Sequence, residues 1–274
     1  MSSEFQYFLS TLIQTGTYKT PENNQINFLD RVLGRFDVWY YLNLFRIIVS
    51  ARIAVAVGKF NYVGWMEKAY AVFRLIERCG GKIEITDYKH IAHLKRPVVF
   101  VANHMSSLET LILPPLLITP QLGITVVIKN TLLKYPFFGP VVKHINPIVV
   151  GRKDAIADYM RVIEHGVSAI KSGRSVLVFP EATRRTEFNP RNFNTLGVKL
   201  ALHAQTQLIP VAVKTDFQGL GKIIKDIGPL YREQTIRFKF GAPLTVDGNG
   251  RTAHTESVMF IAQTLREWGI PVHE

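Results

Sequence analysis

DAIADYMRVIEHGVSAIKSGRSVLVF, residues 154–179, carries two periodicities end to end. Over residues 154–171 the side chains of Ile156, Tyr159, Met160, Ile163, Val167 and Ile170 recur at helical spacing, which puts them on one face of a helix. Gly173 stands just beyond as a stop signal. Residues 175–179 then form a short apolar run, the pattern of a buried strand.

The same alternation continues outward. Short runs rich in β-branched residues occur at 97–102, 124–128, 147–150, 208–213 and 235–240, and helical patterns at 194–205 and 255–268. Strands alternating with helices predict an α/β fold, a mixed, partly parallel sheet flanked by helices. With 274 residues and 47% apolar composition, the chain has ample material for such a core. No internal repeat or low-complexity tract interrupts it.

Upstream of Gly80 and Gly81 the character differs. The expected division is an N-terminal helical, membrane-interfacial region, residues 1–80, followed by one α/β domain, residues 81–274. Residues 38–57, VWYYLNLFRIIVSARIAVAV, are about as long as a bilayer requires. Asn43, Arg46 and Arg52 lie among them, and a central arginine costs roughly 2.5 to 3.5 kcal/mol on insertion scales, which disfavours a free span. Residues 62–78 interleave Trp65, Tyr70, Phe73, Leu75 and Ile76 with Glu67, Lys68, Arg74 and Glu77. Two such helices suit an amphipathic anchor lying at the membrane interface, and ordinary packing helices would show the same pattern.

The opening residues lack the basic stretch, apolar run and small-residue cleavage site of a signal peptide. Cys79 is the only cysteine, which excludes an intramolecular disulfide and a cysteine-built metal site. A peripheral or monotopic protein on the cytoplasmic face of a membrane is the expectation. The 33 Lys and Arg against 21 Asp and Glu give a formal charge of +12, a field that favours anionic partners. No recognised nucleic-acid motif or basic stripe accompanies it, so anionic lipid, acyl-carrier protein and the phosphates of coenzyme A fit better than nucleic acid.

Three segments carry chemistry. Residues 97–102 run directly into NHMSSLE, residues 103–109. Residues five apart on a helix point roughly 140 degrees away from each other, so His104 and Glu109 pair only if His104 lies in a loop before a helix that begins near Ser106. A carboxylate placed there would fix the tautomer of the imidazole and stabilise its protonated form, the orienting role in general-base catalysis. Ser106 followed three residues later by Glu109 is also a capping-box pattern, which would make the glutamate structural. In SVLVFPEATRR, residues 175–185, a strand ends at Pro180 and releases Glu181, Thr183, Arg184 and Arg185. Strand ends of that kind line ligand crevices in α/β sheets, and the planar fork of arginine matches phosphate oxygens. PIVVGR, residues 147–152, is another short strand, ending in Arg152.

In this order the segments resemble the glycerolipid acyltransferases, a family that includes lysophosphatidate and glycerol-3-phosphate acyltransferases. The first family block is Asn-His, three or four residues, then an acid; NHMSSLE matches, with Glu109 where aspartate is usual. The second resembles residues 128–152 through Lys129, Leu133, Pro136, Phe138, Gly139, Ile148 and Arg152, with Gly151 where aspartate or asparagine is commoner. The third is FPEATRR, with Ala182 in place of glycine, and the fourth is Ile209, Pro210 and Val211. The likeness spans roughly residues 97–213.

That resemblance implies His104 as base, Glu109 as its orienting acid, and Lys129, Arg152, Glu181, Thr183 and Arg184 as the binding site for the acceptor's glycerol phosphate. It implies an acyl thioester as co-substrate, acyl-CoA or acyl-carrier protein, with no metal and no resident cofactor. The implied reaction is acylation of lysophosphatidate to phosphatidate, with membrane lipids as partners. Other acceptors, namely glycerol-3-phosphate, another lysophospholipid or a lyso-aminolipid, are the nearest alternatives, followed by a catalytically silent lipid-binding protein. Acyl-chain length and oligomeric state have no signal in the sequence.

Overall fold

A computed structural model describes residues 2–22, 26, 28–118, 122–222 and 224–273. The N-terminal part contains α1 (Ser3–Thr15), β1 (Tyr18–Lys19), α2 (Phe28–Leu33), α3 (Asp37–Ala56) and α4 (Tyr62–Arg78). Next come β2 (Lys82–Thr86), α5 (Lys89–Ala92), β3 (Val99–Ala102), α6 (Leu108–Leu116), β4 (Gly123–Lys129), α7 (Phe138–His144) and β5 (Ile148–Val150). The chain closes with α8 (Ala155–Lys171), β6 (Arg174–Val178), α9 (Leu196–His203), β7 (Leu208–Lys214), β8 (Thr235–Phe240) and α10 (Arg251–Glu267). Among the described residues, eight strands form one sheet in the order β1-β2-β8-β7-β3-β6-β4-β5. The six strands read from sequence all form, and the mixed, partly parallel sheet is as expected.

The parallel block explains why those strands were legible. β7, β3, β6, β4 and β5 run parallel to one another, and every residue of β3 and β7 is buried. Strands covered on both faces need apolar side chains at every position rather than at alternate ones. Phe100 and Ala102 face one core, with Phe73 and Ile76 of α4 and Ile112 of α6. Val99 and Val101 face the other, with Val162 of α8, Leu200 of α9 and Ile261 of α10.

Asp154 caps α8, its carboxylate accepting from the amides of Ile156 and Ala157, both at 3.0 Å. The buried face of that helix differs from the expected one. Ile156 and Met160 are exposed, and burial runs through Val162, Gly166, Ala169 and Ile170. The reason is close approach: a Cβ on Gly166 would lie 2.6 Å from Cδ1 of Leu200, so the small residues mark where α9 docks.

Across the expected boundary at Gly80 and Gly81 the packing is continuous. β1 joins the sheet beside β2, and α1, α3 and α4 share the core that contains Phe100 and Ile112. The two apolar helices diverge in role. α4 turns Phe73, Leu75 and Ile76 into this core, which corrects its reading as a second interfacial anchor: the face available to lipid is already taken by protein. α3 is long and apolar enough to cross a membrane by length and composition, and only a small part of it is buried. Val38, Leu42, Phe45 and Ile53 on α3 are exposed, as are Phe28, Leu29 and Phe36 just before it.

Parallel topology also sets the site. The C-terminal ends of β3, β6, β4, β5 and β7 emerge on the same edge of the sheet; Lys129 ends β4, and His104, Glu181, Arg152 and Thr215 lie just beyond the other four.

Candidate active site

Asn103 starts the site by extending the β3–β7 ladder with a side chain. Its amide nitrogen donates to the carbonyl of Val213 at 2.7 Å, and its oxygen accepts from the Val213 amide at 2.8 Å. This pins the first residue of the loop, and His104 follows immediately. The backbone of His104 is tied to the loop after β6 on both sides. Its amide donates to Oε2 of Glu181 at 2.9 Å, and its carbonyl accepts from the Arg185 amide at 2.8 Å. The ring stacks on Phe179, with centroids 4.6 Å apart.

Glu109, in the first turn of α6, reaches back to the ring, with Oε1 2.7 Å from Nδ1 of His104. The same carboxylate accepts from the amides of Met105 at 2.7 Å and Ser106 at 2.9 Å, and from the hydroxyl of Thr215 at 2.5 Å. Ser106 Oγ lies 2.9 Å from it and accepts from the Leu108 amide at 3.1 Å. One carboxylate therefore meets both the His104 ring and the backbone amides of the loop that enters α6. Full burial opposes its ionisation, yet the hydrogen bond and charge of His104, with the bond from Thr215, hold it below the ordinary range. An ionised carboxylate only accepts hydrogen bonds, so the proton must sit on Nδ1. Nε2 is left for the cavity that His104 lines.

Glu181 behaves differently. It is buried, one oxygen holds the His104 amide, and the other has no hydrogen-bond partner. Desolvation pushes it up to about 7 against the smaller effects of that amide and the Arg185 charge. The structure places it beneath the His104 backbone and not on the cavity wall. Ala182, next along, has a φ of 57°.

The cavity has a volume of about 850 Å³. Lys129, Arg152, Thr183 and Arg184 line it together with His104, so four of the five expected binding residues share one space with the histidine. Arg152 takes a φ of 59°, and its amide and that of Gly151 are held by the Asp158 carboxylate at 2.6 and 2.8 Å. Val126, Ile128, Leu132 and Val142 are among the apolar lining. Two participants escaped the sequence reading. Thr215 is a single hydroxyl after β7, and Asp226 pairs with Arg184 at 2.6 Å from a loop with no local spacing signal.

The Acyltransferase family model matches residues 82–214. The 1-acyl-sn-glycerol-3-phosphate acyltransferase of Pseudomonas aeruginosa is 25% identical over 236 residues, covering 84% of this chain and 85% of that one. The protein of the same name from Borreliella burgdorferi is 28% identical over 134 residues, covering 49% of this chain and 52% of its own. The crystal structure of the 1-acyl-sn-glycerophosphate acyltransferase PlsC from Thermotoga maritima superposes with a TM-score of 0.63 at 15% identity, over 89% of this chain and 100% of that one, a likeness of fold. With the ordered blocks gathered on one sheet edge and these relatives matching them, the chain is similar to the glycerolipid acyltransferases, and the matches support an acyl-transferring enzyme.

Proposed function

We propose that this enzyme moves a fatty acyl group from an acyl thioester to the free hydroxyl of lysophosphatidate, giving phosphatidate, at the cytoplasmic face of a membrane during phospholipid biosynthesis. Acyl-CoA and acyl-carrier protein are the donor classes whose anionic character suits a chain of charge +12. The names of the curated relatives support the acceptor. The exposed apolar side chains of α3 support a membrane location.

The observation that carries the reading is the 2.7 Å contact between His104 Nδ1 and Glu109 at the wall of a cavity also lined by Lys129, Arg152 and Arg184. In this mechanism Nε2 of His104 takes the proton of the acceptor hydroxyl as its oxygen attacks the thioester carbonyl. Glu109 stabilises the imidazolium so formed. The tetrahedral intermediate collapses with loss of thiolate, and the imidazolium returns the proton to sulfur. Lys129, Arg152, Thr183 and Arg184 hold the acceptor phosphate, and Glu181 holds the loop that carries the base. The thioester is a co-substrate, and no step uses a metal or redox cofactor.

The test incubates purified protein with lysophosphatidate and a thioester donor and looks for phosphatidate. Arg152→Ala and Arg184→Ala are expected to lower use of lysophosphatidate on the order of ten- to a hundredfold, while an acceptor lacking the phosphomonoester is spared. Equal loss on both acceptors would remove the phosphate assignment.

A further inference from the structure

The cavity wall includes a stretch that the four sequence blocks do not reach. After β7 the chain forms a loop beyond residue 214, where the family match ends, and this loop brings Leu220, Lys225 and Asp226 to the cavity. Asp226 makes the contact that matters. Its Oδ1 lies 2.6 Å from Nη1 of Arg184, and its Oδ2 accepts from the hydroxyl of Tyr135 at 3.0 Å. Both oxygens are thus engaged from different parts of the chain, one partner following β6 and the other following β4.

The backbone around Asp226 is fixed as well. Its carbonyl accepts from Nε2 of the buried Gln218 at 2.8 Å. Two residues on, the Tyr41 hydroxyl of α3 donates to the Gly228 carbonyl at 2.7 Å and accepts from the Gly228 amide at 3.0 Å. Asp226 is therefore held on both sides of its side chain and through its own carbonyl, unlike a loose surface acid.

We propose that Asp226 is a positioning residue that sets how tightly the enzyme holds the phosphate of its acceptor, by fixing the guanidinium of Arg184 before substrate arrives. The inference rests on the reading of Arg184 as a phosphate contact. A guanidinium has five N–H groups in a rigid fork, so the bond from Nη1 to Asp226 leaves the other nitrogens for the ligand. An arginine ordered in advance gives up less side-chain freedom on binding than one that must be captured from solution. The acid does not cancel the attraction of the site, because Lys129, Arg152 and Lys225 line the same space. Tyr135, bonded to the second oxygen, keeps the carboxylate from rotating away.

Steady-state kinetics on lysophosphatidate with acyl-CoA test this in folded wild type, Asp226→Asn, Asp226→Glu, Arg184→Ala and the double variant Arg184→Ala/Asp226→Asn. Asp226→Asn removes the charge and is expected to raise KM for lysophosphatidate on the order of tenfold with kcat near wild type. Activity on an acceptor without a phosphomonoester should not move. Asp226→Glu restores part of the affinity because the charge returns. In the Arg184→Ala background the second substitution should change KM no further, since the group it positions is gone. A KM that is unmoved or lowered in Asp226→Asn, or effects that add in the double variant, overturn the proposal. Wild-type enzyme that gives no phosphatidate overturns the functional reading itself, whereas normal wild-type turnover with an unmoved KM overturns the role of Asp226 alone.

Discussion

The turn after β3 and the turn after β6 each bury a glutamate against His104, with opposite results. Glu109 is met by the imidazole, two backbone amides and two hydroxyls, and stays ionised below the ordinary carboxylate range. Glu181 has one backbone amide and one oxygen without a partner, and burial pushes it up to about 7. Burial alone therefore does not decide the charge of a carboxylate; the number of donors aimed at it does. One turn is built to hold a negative charge beside the His104 ring. The other is built to hold the His104 backbone.

The sharpest break of that comparison removes the histidine both turns serve. His104→Ala is expected to lower kcat by roughly 10²- to 10⁴-fold, the contribution of a general base, in a protein that remains folded. Turnover assays alongside circular dichroism check it. A folded variant with normal turnover would end the mechanism.

The next test separates the charge of Glu109 from its shape. Glu109→Gln keeps an acceptor oxygen but turns an amide donor toward groups that also donate, and it leaves imidazolium without a counter-charge. Turnover should fall on the order of a hundredfold, and the melting temperature should fall with it, because the same carboxylate holds the amides of the loop that enters α6. Loss of stability without loss of turnover would make the glutamate a cap only. Glu109→Asp should be the milder change in turnover.

The comparison also explains what was legible in the sequence. Buried parallel strands read as continuous apolar runs, so β3, β6 and β7 could be placed from residues alone. His104 and Glu109 could be named, yet spacing could not separate a bond to the ring from bonds to the loop amides, because one carboxylate makes both. Glu181 looked like a ligand for substrate since it leaves a strand end beside two arginines; only the three-dimensional path of the chain shows the His104 amide closing over it. Thr215 and Asp226 reach the site from across the sheet edge, and no local pattern marks such residues. α3 is the more apolar helix, with apolar side chains distributed around it, whereas α4 gathers its apolar side chains on one face, the face the core covers.

The third prediction uses pH to expose the unevenly satisfied glutamate. Glu181 holds its proton more tightly folded, at about 7, than the ordinary value of 4.5. Its contribution to stability is thus fully present below about pH 4.5 and is lost as pH rises through about 7. Across that window the loss is on the order of 3 kcal/mol. Glu181→Gln keeps the acceptor for the His104 amide and cannot ionise. Denaturant unfolding at pH 5 and pH 8 should show the wild type losing stability relative to this variant. Parallel behaviour of the two proteins would refute the raised value. Glu109 acts with the opposite sign, adding stability above the ordinary carboxylate range and losing it at lower pH, so it does not mimic the effect.

The smallest expected effect lies in the same turn, at Ala182, where the family usually has glycine. Its φ of 57° places an L-residue in the left-handed region, whereas the residues 103–109 of the other turn include no positive φ. Left-handed backbone costs a residue with a Cβ about 1 to 2 kcal/mol, and glycine avoids this at the expense of greater freedom in the unfolded chain. The net gain from Ala182→Gly should be about 0.5 to 1 kcal/mol, a rise of roughly 1 to 4 °C in melting temperature for a domain of this size. The hydrogen bonds that shape the turn, from the Ala182 amide to the Phe179 carbonyl at 3.0 Å and from the Thr183 amide to the Glu181 carbonyl at 2.7 Å, involve backbone only and survive the change. Turnover should therefore stay at the wild-type level while the melting temperature rises. A lower melting temperature would mean that the alanine methyl packs in the turn more favourably than its backbone is strained. A fall in turnover with raised stability would mean that the stiffness of alanine helps to aim Arg184, two residues on, and would tie the strain in this turn to phosphate binding.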